Sequence, residues 1–153
     1  MSIVIVPYEE SLKESLFAFY AECFPGVGKP FEPDGRHEFY NHIPEHFERF
    51  WCLTEDNTVL GSVAIRRFSD DTAELKALYL SEELRGHGWG YKLLNLAVEY
   101  AREQGYKRVC LDSMKSYTAA RCLYDKYGFR EIGSYNNNTF AEVFMELRIS
   151  EIR

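Results

Sequence analysis

A chain of 153 residues is about one domain, long enough to bury a single core. Its apolar content of 46%, with 16% aromatic residues, is globular, and no apolar run approaches the roughly 18 residues of a membrane span. A net charge of −6 argues against nucleic acid and anionic lipid as partners, because phosphate polymers are held mainly by Lys and Arg, and weakly favours a cationic substrate.

Met1 to Tyr8 lacks the basic start and small-residue cleavage site of a secretion signal, so a cytoplasmic protein is expected. Within it, Ser2 to Pro7 alternates like a strand. Glu10 to Cys23 carries Leu12, Leu16, Phe19 and Tyr20 at the spacing of one helical face, and Pro25 and Gly26 are expected to stop that helix. From Gly28 to Pro44, three prolines and Gly35 break any long period, leaving a short helix inside a mobile loop. Phe50 to Thr54 and Val59 to Phe68 then read as strands around the turn Glu55-Asp56-Asn57-Thr58. Ser69-Asp70-Asp71 is the next turn and Ala73 to Leu80 the next strand. The helical run Tyr91 to Gln104 has Leu94, Ala97, Val98 and Ala101 on one stripe and ends at Gly105. Lys107 to Asp112 is a short buried strand, so strand, helix and strand make one right-handed parallel unit. A helix over Tyr117 to Tyr127 stops at Gly128. Phe129 to Gly133 and Ala141 to Ile149 finish as strands around Asn136-Asn137-Asn138. Cys23, Cys52, Cys110 and Cys122 form no Cys-x-x-Cys pair and read as reduced thiols.

Between the strand ending at Leu80 and the helix from Tyr91 lie Arg85, Gly86, His87, Gly88, Trp89 and Gly90. Glycines remove the Cβ atoms that keep a backbone away from a ligand, and a helix starting there leaves its first N–H groups unpaired. With the helix dipole, such a junction suits a pyrophosphate. It is no Walker loop, since Tyr91 and Lys92 stand where Lys-Ser/Thr is needed. Nor is it a dinucleotide fingerprint, since the glycines are evenly spaced and Ser81 to Leu84 separates them from the strand. The glycines by themselves suit a ligand-free turn equally well.

The chain also carries Leu123-Tyr124-Asp125-Lys126-Tyr127-Gly128-Phe129 in its later helix. In this order the two segments resemble the GNAT superfamily of acyl-CoA-dependent N-acyltransferases. Its signatures are Arg/Gln-x-x-Gly-x-Gly/Ala after the fourth strand and Leu-Tyr-x-x-x-Gly-Phe later. The resemblance covers residues 58 to 148 well, and the first half only by the order of its elements. It implies an α/β (α+β) fold over 1–153 as one domain. Its mixed, strongly twisted sheet has six to seven strands, helices on both faces, and a splay between strands four and five, here Ala73 to Leu80 and Arg108 to Asp112.

The resemblance further implies that acetyl-CoA lies in the splay as co-substrate, without a metal. Its pantetheine arm would meet the main chain of Leu78, Tyr79 and Leu80, and its pyrophosphate the N–H groups from Gly86 to Gly90, with Arg85 and Tyr91 flanking. Lys92 is expected to face water. An amine would attack the thioester directly, with Glu74 as the base and a fourth-strand N–H at Leu78 or Tyr79 meeting the oxyanion. Tyr124 would protonate the leaving thiolate. A carboxylate at a strand end is otherwise a solvated group, and a tyrosine beside Leu123 otherwise packs. Many family members have an asparagine seven residues before this tyrosine, where the present chain has Tyr117.

The acceptor groove of similar proteins maps to Phe19–Phe47 and Tyr135–Phe140. There Tyr20, Glu22, Asp34, Phe39 and Tyr40 suit a small cationic or amino-acid-like amine by charge and ring-face attraction. His37, His42 and His46 invite a metal reading, but Pro44 disfavours the helix turn that would align the last two. A non-catalytic CoA-sensing or interaction module, and a protein N-acetyltransferase, are the alternative functions. Self-association as a homodimer stays open.

Overall fold

The structure, a computed structural model, describes residues 2–149; Met1, part of the amino-terminal reading above, lies outside the described residues. In chain order the elements are β1 (Ile3–Pro7), α1 (Lys13–Gly26), α2 (Ile43–His46), β2 (Arg49–Glu55), β3 (Thr58–Arg67) and β4 (Thr72–Leu80). There follow α3 (Trp89–Glu103), β5 (Arg108–Ser113), α4 (Thr118–Tyr127), β6 (Arg130–Ile132) and β7 (Val143–Arg148). The seven strands form one mixed sheet in the order β1-β2-β3-β4-β5-β7-β6, in which only β4 and β5 run parallel.

Period-two alternation divides the side chains between two cores. Trp51, Leu53, Val63, Ile65, Ala73 and Leu75 point to one face, where the α3 stripe Leu93, Leu94, Ala97, Val98 and Ala101 covers them. Phe50, Cys52 and Ala64 point to the other, beneath Leu16, Phe19, Tyr20 and Phe24 of α1 and Tyr40, Ile43 and Phe47. Helices therefore lie on both faces. The β2–β3 hairpin turns on Asp56 and Asn57, with φ of 51° and 67°, the paired left-handed geometry that matches sheet twist and that Asp and Asn tolerate.

The feature that positions the site is how early β4 and β5 part. They pair only at Thr72–Arg108, Ala73–Val109 and Glu74–Cys110, whereas β5 stays in register with β7 along its whole length. Beyond Glu74, β4 instead follows β3 through a bulge, where the register shifts opposite Ser62 to Ala64 and Ala77 adopts φ 58°. A left-handed alanine costs about 1–2 kcal/mol, so the bulge must be held in place. Ser62 holds it: its hydroxyl donates to the Ala77 carbonyl at 2.7 Å and contacts the buried Tyr20 hydroxyl at 2.8 Å.

Two prolines lie inside helical turns. The expected stop of α1 falls at Gly26, with Pro25 inside the last turn, whereas Pro44 does not prevent the turn between His42 and His46 but occupies the start of α2. Pro44 sits where a helical N–H has no intrahelical acceptor to lose, and Ala21 and Pro25 share an exposed face, where a carbonyl that lacks its N–H partner can bond water.

On β7, Glu146 is 3% exposed and accepts from three arginines, Arg108 at 2.7 Å, Arg130 at 3.1 Å and Arg148 at 3.3 Å. The Arg108 hydrogen bond, with the other two, lowers its carboxyl to about 2. A depressed folded-state value means stability present above the unfolded value near 4.5 and lost as pH falls toward 2. Urea unfolding at about pH 7 and about pH 3 is therefore expected to show an acid loss on the order of 2 kcal/mol from this group, absent from Glu146→Gln.

Candidate active site

Where β4 and β5 part, a cavity of about 470 Å³ opens. Leu75 to Tyr79 of β4 form one wall, Asp112 to Met114 with Tyr117, Ala120 and Tyr124 the other, and Phe39, Tyr40 and Phe47 the roof. Tyr124 is 6% exposed, with its ring against Phe129, and its hydroxyl has no hydrogen-bond partner among the described residues. Burial, reinforced by the Asp112 charge, pushes its phenol well above the ordinary value near 10, so it stays protonated at neutral pH.

The junction after β4 has the backbone that the glycines foreshadow, but they serve different ends. Gly86 and Gly88 sit at φ 83° and 84°, and Gly88 is the cap of α3 without any side-chain hydrogen bond to that helix end. The Lys92 N–H is bonded to the Gly88 carbonyl at 3.1 Å, and the N–H groups ahead of it belong to the turn that an α-helix leaves unpaired. Gly90 serves packing instead, since a Cβ there would meet Leu123 Cδ2 of α4 at 3.3 Å. Arg85, His87 and Lys92 are exposed, with the Lys92 ammonium 4.4 Å from the Trp89 ring centroid. Tyr91 is 52% exposed and leans on Tyr127.

Of the three residues expected along pantetheine, Leu78 and Tyr79 line the splay. Leu80 pairs with Gly61 and borders a second cavity of about 450 Å³ against α1. Glu22, Glu82 and Glu83 line that second cavity with Arg85 as its cation, which makes it unfavourable for phosphate.

Glu74 is not the solvated strand-end group that its position suggests. It is 2% exposed at the crotch of the splay, and its carboxylate accepts from the Tyr135 hydroxyl at 2.6 Å and the Asn136 amide at 3.1 Å. Asn136 also donates to Asp112 at 2.7 Å, and the Lys76 ammonium lies 3.9 Å from Glu74 and 3.6 Å from Asp112. Two carboxylates thus share an amide and an ammonium, and Asp112 borders the cavity.

The expected acceptor residues are only partly assembled. Phe39 and Tyr40 border the cavity, but Tyr20 is buried beneath it, Glu22 belongs to the second cavity, and Asp34 is exposed outside both. In place of acids the structure brings in Lys29, Arg36, Arg66 and Lys76. Alternation along β4 could have placed Lys76 on the Glu74 face; Lys29 and Arg36 lie in a segment without any period. His42 pairs with Glu38 at 3.0 Å, and no group of three metal-ligating side chains occurs among the described residues.

Comparison with known proteins gives a consistent result. Residues 13–129 match the acetyltransferase (GNAT) family. An uncharacterized N-acetyltransferase of Schizosaccharomyces pombe is 31% identical over 110 residues, which are 71% of this chain and 68% of that protein. One from Bacillus subtilis is 35% identical over 114 residues, 69% of this chain and only 43% of that protein. Among solved structures, a GNAT-family acetyltransferase from Staphylococcus aureus superposes with a TM-score of 0.87 at 20% identity, covering 97% of this chain and all of that one. The PaiA N-acetyltransferase of Thermoplasma acidophilum, solved in complex with coenzyme A, superposes with a TM-score of 0.78 at 21% identity, covering 97% of this chain and 100% of that one.

Proposed function

Since the chain belongs to the acetyltransferase (GNAT) family, we propose that it is a cytoplasmic N-acetyltransferase transferring an acetyl group from acetyl-CoA to the primary amine of a small, amino-acid-like acceptor. The observation that carries this reading is the Tyr124 hydroxyl, protonated and unbonded, at the wall of the gap between β4 and β5. The site fits the coenzyme: unpaired N–H groups between Gly86 and Gly90, with Gly86 and Gly88 left-handed, suit a diphosphate, and the splay exposes the main chain of Leu78 and Tyr79 for the pantetheine arm.

In the reaction, the acceptor nitrogen attacks the thioester carbon, and a main-chain N–H at Leu78 or Tyr79 stabilises the oxyanion. The ammonium proton leaves through water at Asp112 to the carboxylate pair, with Glu74 as its final base behind Asn136 and Tyr135. Collapse breaks the carbon–sulfur bond, and the thiolate takes the Tyr124 proton. Tyr117, in the position of the familiar asparagine, precedes α4 without a side-chain hydrogen bond to it, and we assign it no role in binding the arm.

Acetyl-CoA at about a hundred times its dissociation constant is expected to stabilise the fold by about 2.7 kcal/mol, about 5–10 °C in melting temperature for a chain of this size. NADH and ATP should do little. Thiol release against a panel of amines then separates a catalyst from a CoA-sensing module; stabilisation without release by any amine would favour the sensor.

A further inference from the structure

The cavity in the splay is cationic within an acidic protein. Four lining cations, Lys29, Arg36, Arg66 and Lys76, face one lining carboxylate, Asp112, while the whole chain carries −6. Arg66 and Lys76 are partly compensated, at 4.0 Å and 3.9 Å from Glu74, and Lys76 also lies 3.6 Å from Asp112. Lys29 and Arg36 form no ion pair among the described residues, although the Asp112 charge is near enough to favour the Lys29 ammonium. Lys29 donates to the Tyr79 hydroxyl at 2.9 Å, with its ammonium 4.6 Å from the centroid of Phe24 and 5.5 Å from that of Tyr117. Arg36 lies over Phe140 at 4.5 Å.

These two charges act on their surroundings. Burial, with Arg36 and Lys76 nearby, lowers Lys29 to about 8. Burial, with Lys29 and Arg36, lowers His37 to about 4, leaving it a neutral ring whose Nδ1 accepts the Glu32 N–H at 2.9 Å. A half-buried ammonium with no carboxylate in contact is costly, and an anion seated beside it offsets part of that cost. A purely cationic acceptor would meet like charge instead.

We infer that the acceptor carries a carboxylate beside its amine, and that Lys29 and Arg36 bind that carboxylate while the amine faces Asp112 and the Ala77 bulge. This rests on the N-acetyltransferase reading and narrows its substrate class to amino acids. It also reverses the sign of the recognition expected from sequence, where acids were to cradle a cation.

Two measurements test it. With coenzyme A present, N-acetyl amino acids are expected to bind about tenfold or more tightly than their carboxamides, because a carboxylate makes charge-assisted bonds that an amide does not. Lys29→Met and, at an exposed position less exposed to folding defects, Arg36→Gln should each reduce that ratio several-fold. In turnover, thiol release should favour each amino acid over its decarboxylated amine, again with a smaller ratio in the variants. Carboxamides binding as well as acids, or a ratio unmoved in both variants, would overturn the inference. Thiol release absent with every amine would instead defeat the transferase reading, and the binding ratio then decides the carboxylate site by itself.

Discussion

Tyr124→Phe is expected to lower kcat by about 100- to 10,000-fold while leaving the affinity for acetyl-CoA nearly unchanged, the range associated with loss of a positioned general acid. The ring packs against Phe129, and phenylalanine keeps that contact. Its hydroxyl is bonded to nothing among the described residues, so removal should cost little stability. A structural tyrosine with a buried hydroxyl would have the opposite profile, losing stability and keeping turnover. Rapid-mix kinetics with a stopped thiol assay, alongside a melting curve, separates the two. Unaltered turnover would remove Tyr124 from the mechanism.

Gly88→Val is the second large effect. Gly88 holds φ 84° and ψ 2° at the cap of α3, and nothing lies within 4 Å of a Cβ built there, so the change is conformational rather than a clash. A β-branched residue abandons the left-handed region and turns the N–H groups of the cap away from their common focus. Loss of one or two charge-assisted bonds to a diphosphate is expected to raise the dissociation constant of acetyl-CoA by about 100-fold. Gly105→Val is the control, because Gly105 sits at φ 91° just beyond the other end of α3 with open space around it. Both variants should lose similar stability, and calorimetry should find the affinity change in Gly88→Val alone. Equal affinities in the two would relocate the diphosphate.

What could be read in advance follows from where the information lies along the chain. The β2–β3 hairpin was legible because alternating apolar residues flank Asp56-Asn57, and α3 because Leu94, Ala97, Val98 and Ala101 recur at helical spacing before Gly105. Both are local signals. The splay is not local: it arises because Ser62, distant in sequence from β5, holds the Ala77 carbonyl in a bulge while β5 pairs with β7. Only the resemblance of the two motifs anticipated it. Glu74 was placed on the correct strand, but its burial depends on Tyr135 and Asn136, whose sequence separations of 61 and 62 residues leave no periodic trace. The charge of the cavity was misread for the same reason. Glu22 and Asp34 are near in sequence to the roof, yet the α1 face and an exposed turn carry them elsewhere, and the cations come from three separate segments, the loop after α1, β3 and β4.

Coenzyme grip at the β4–α3 junction is the premise on which the roles of Tyr124, Glu74 and Lys29 all depend. A crystal structure with acetyl-CoA bound addresses it directly: diphosphate oxygens within hydrogen-bond distance of the main chain between Gly86 and Gly90, and the thioester between β4 and β5 beside Tyr124, are expected. Coenzyme seated in the cavity against α1, or a thioester directed away from the splay with that junction bare, would contradict it.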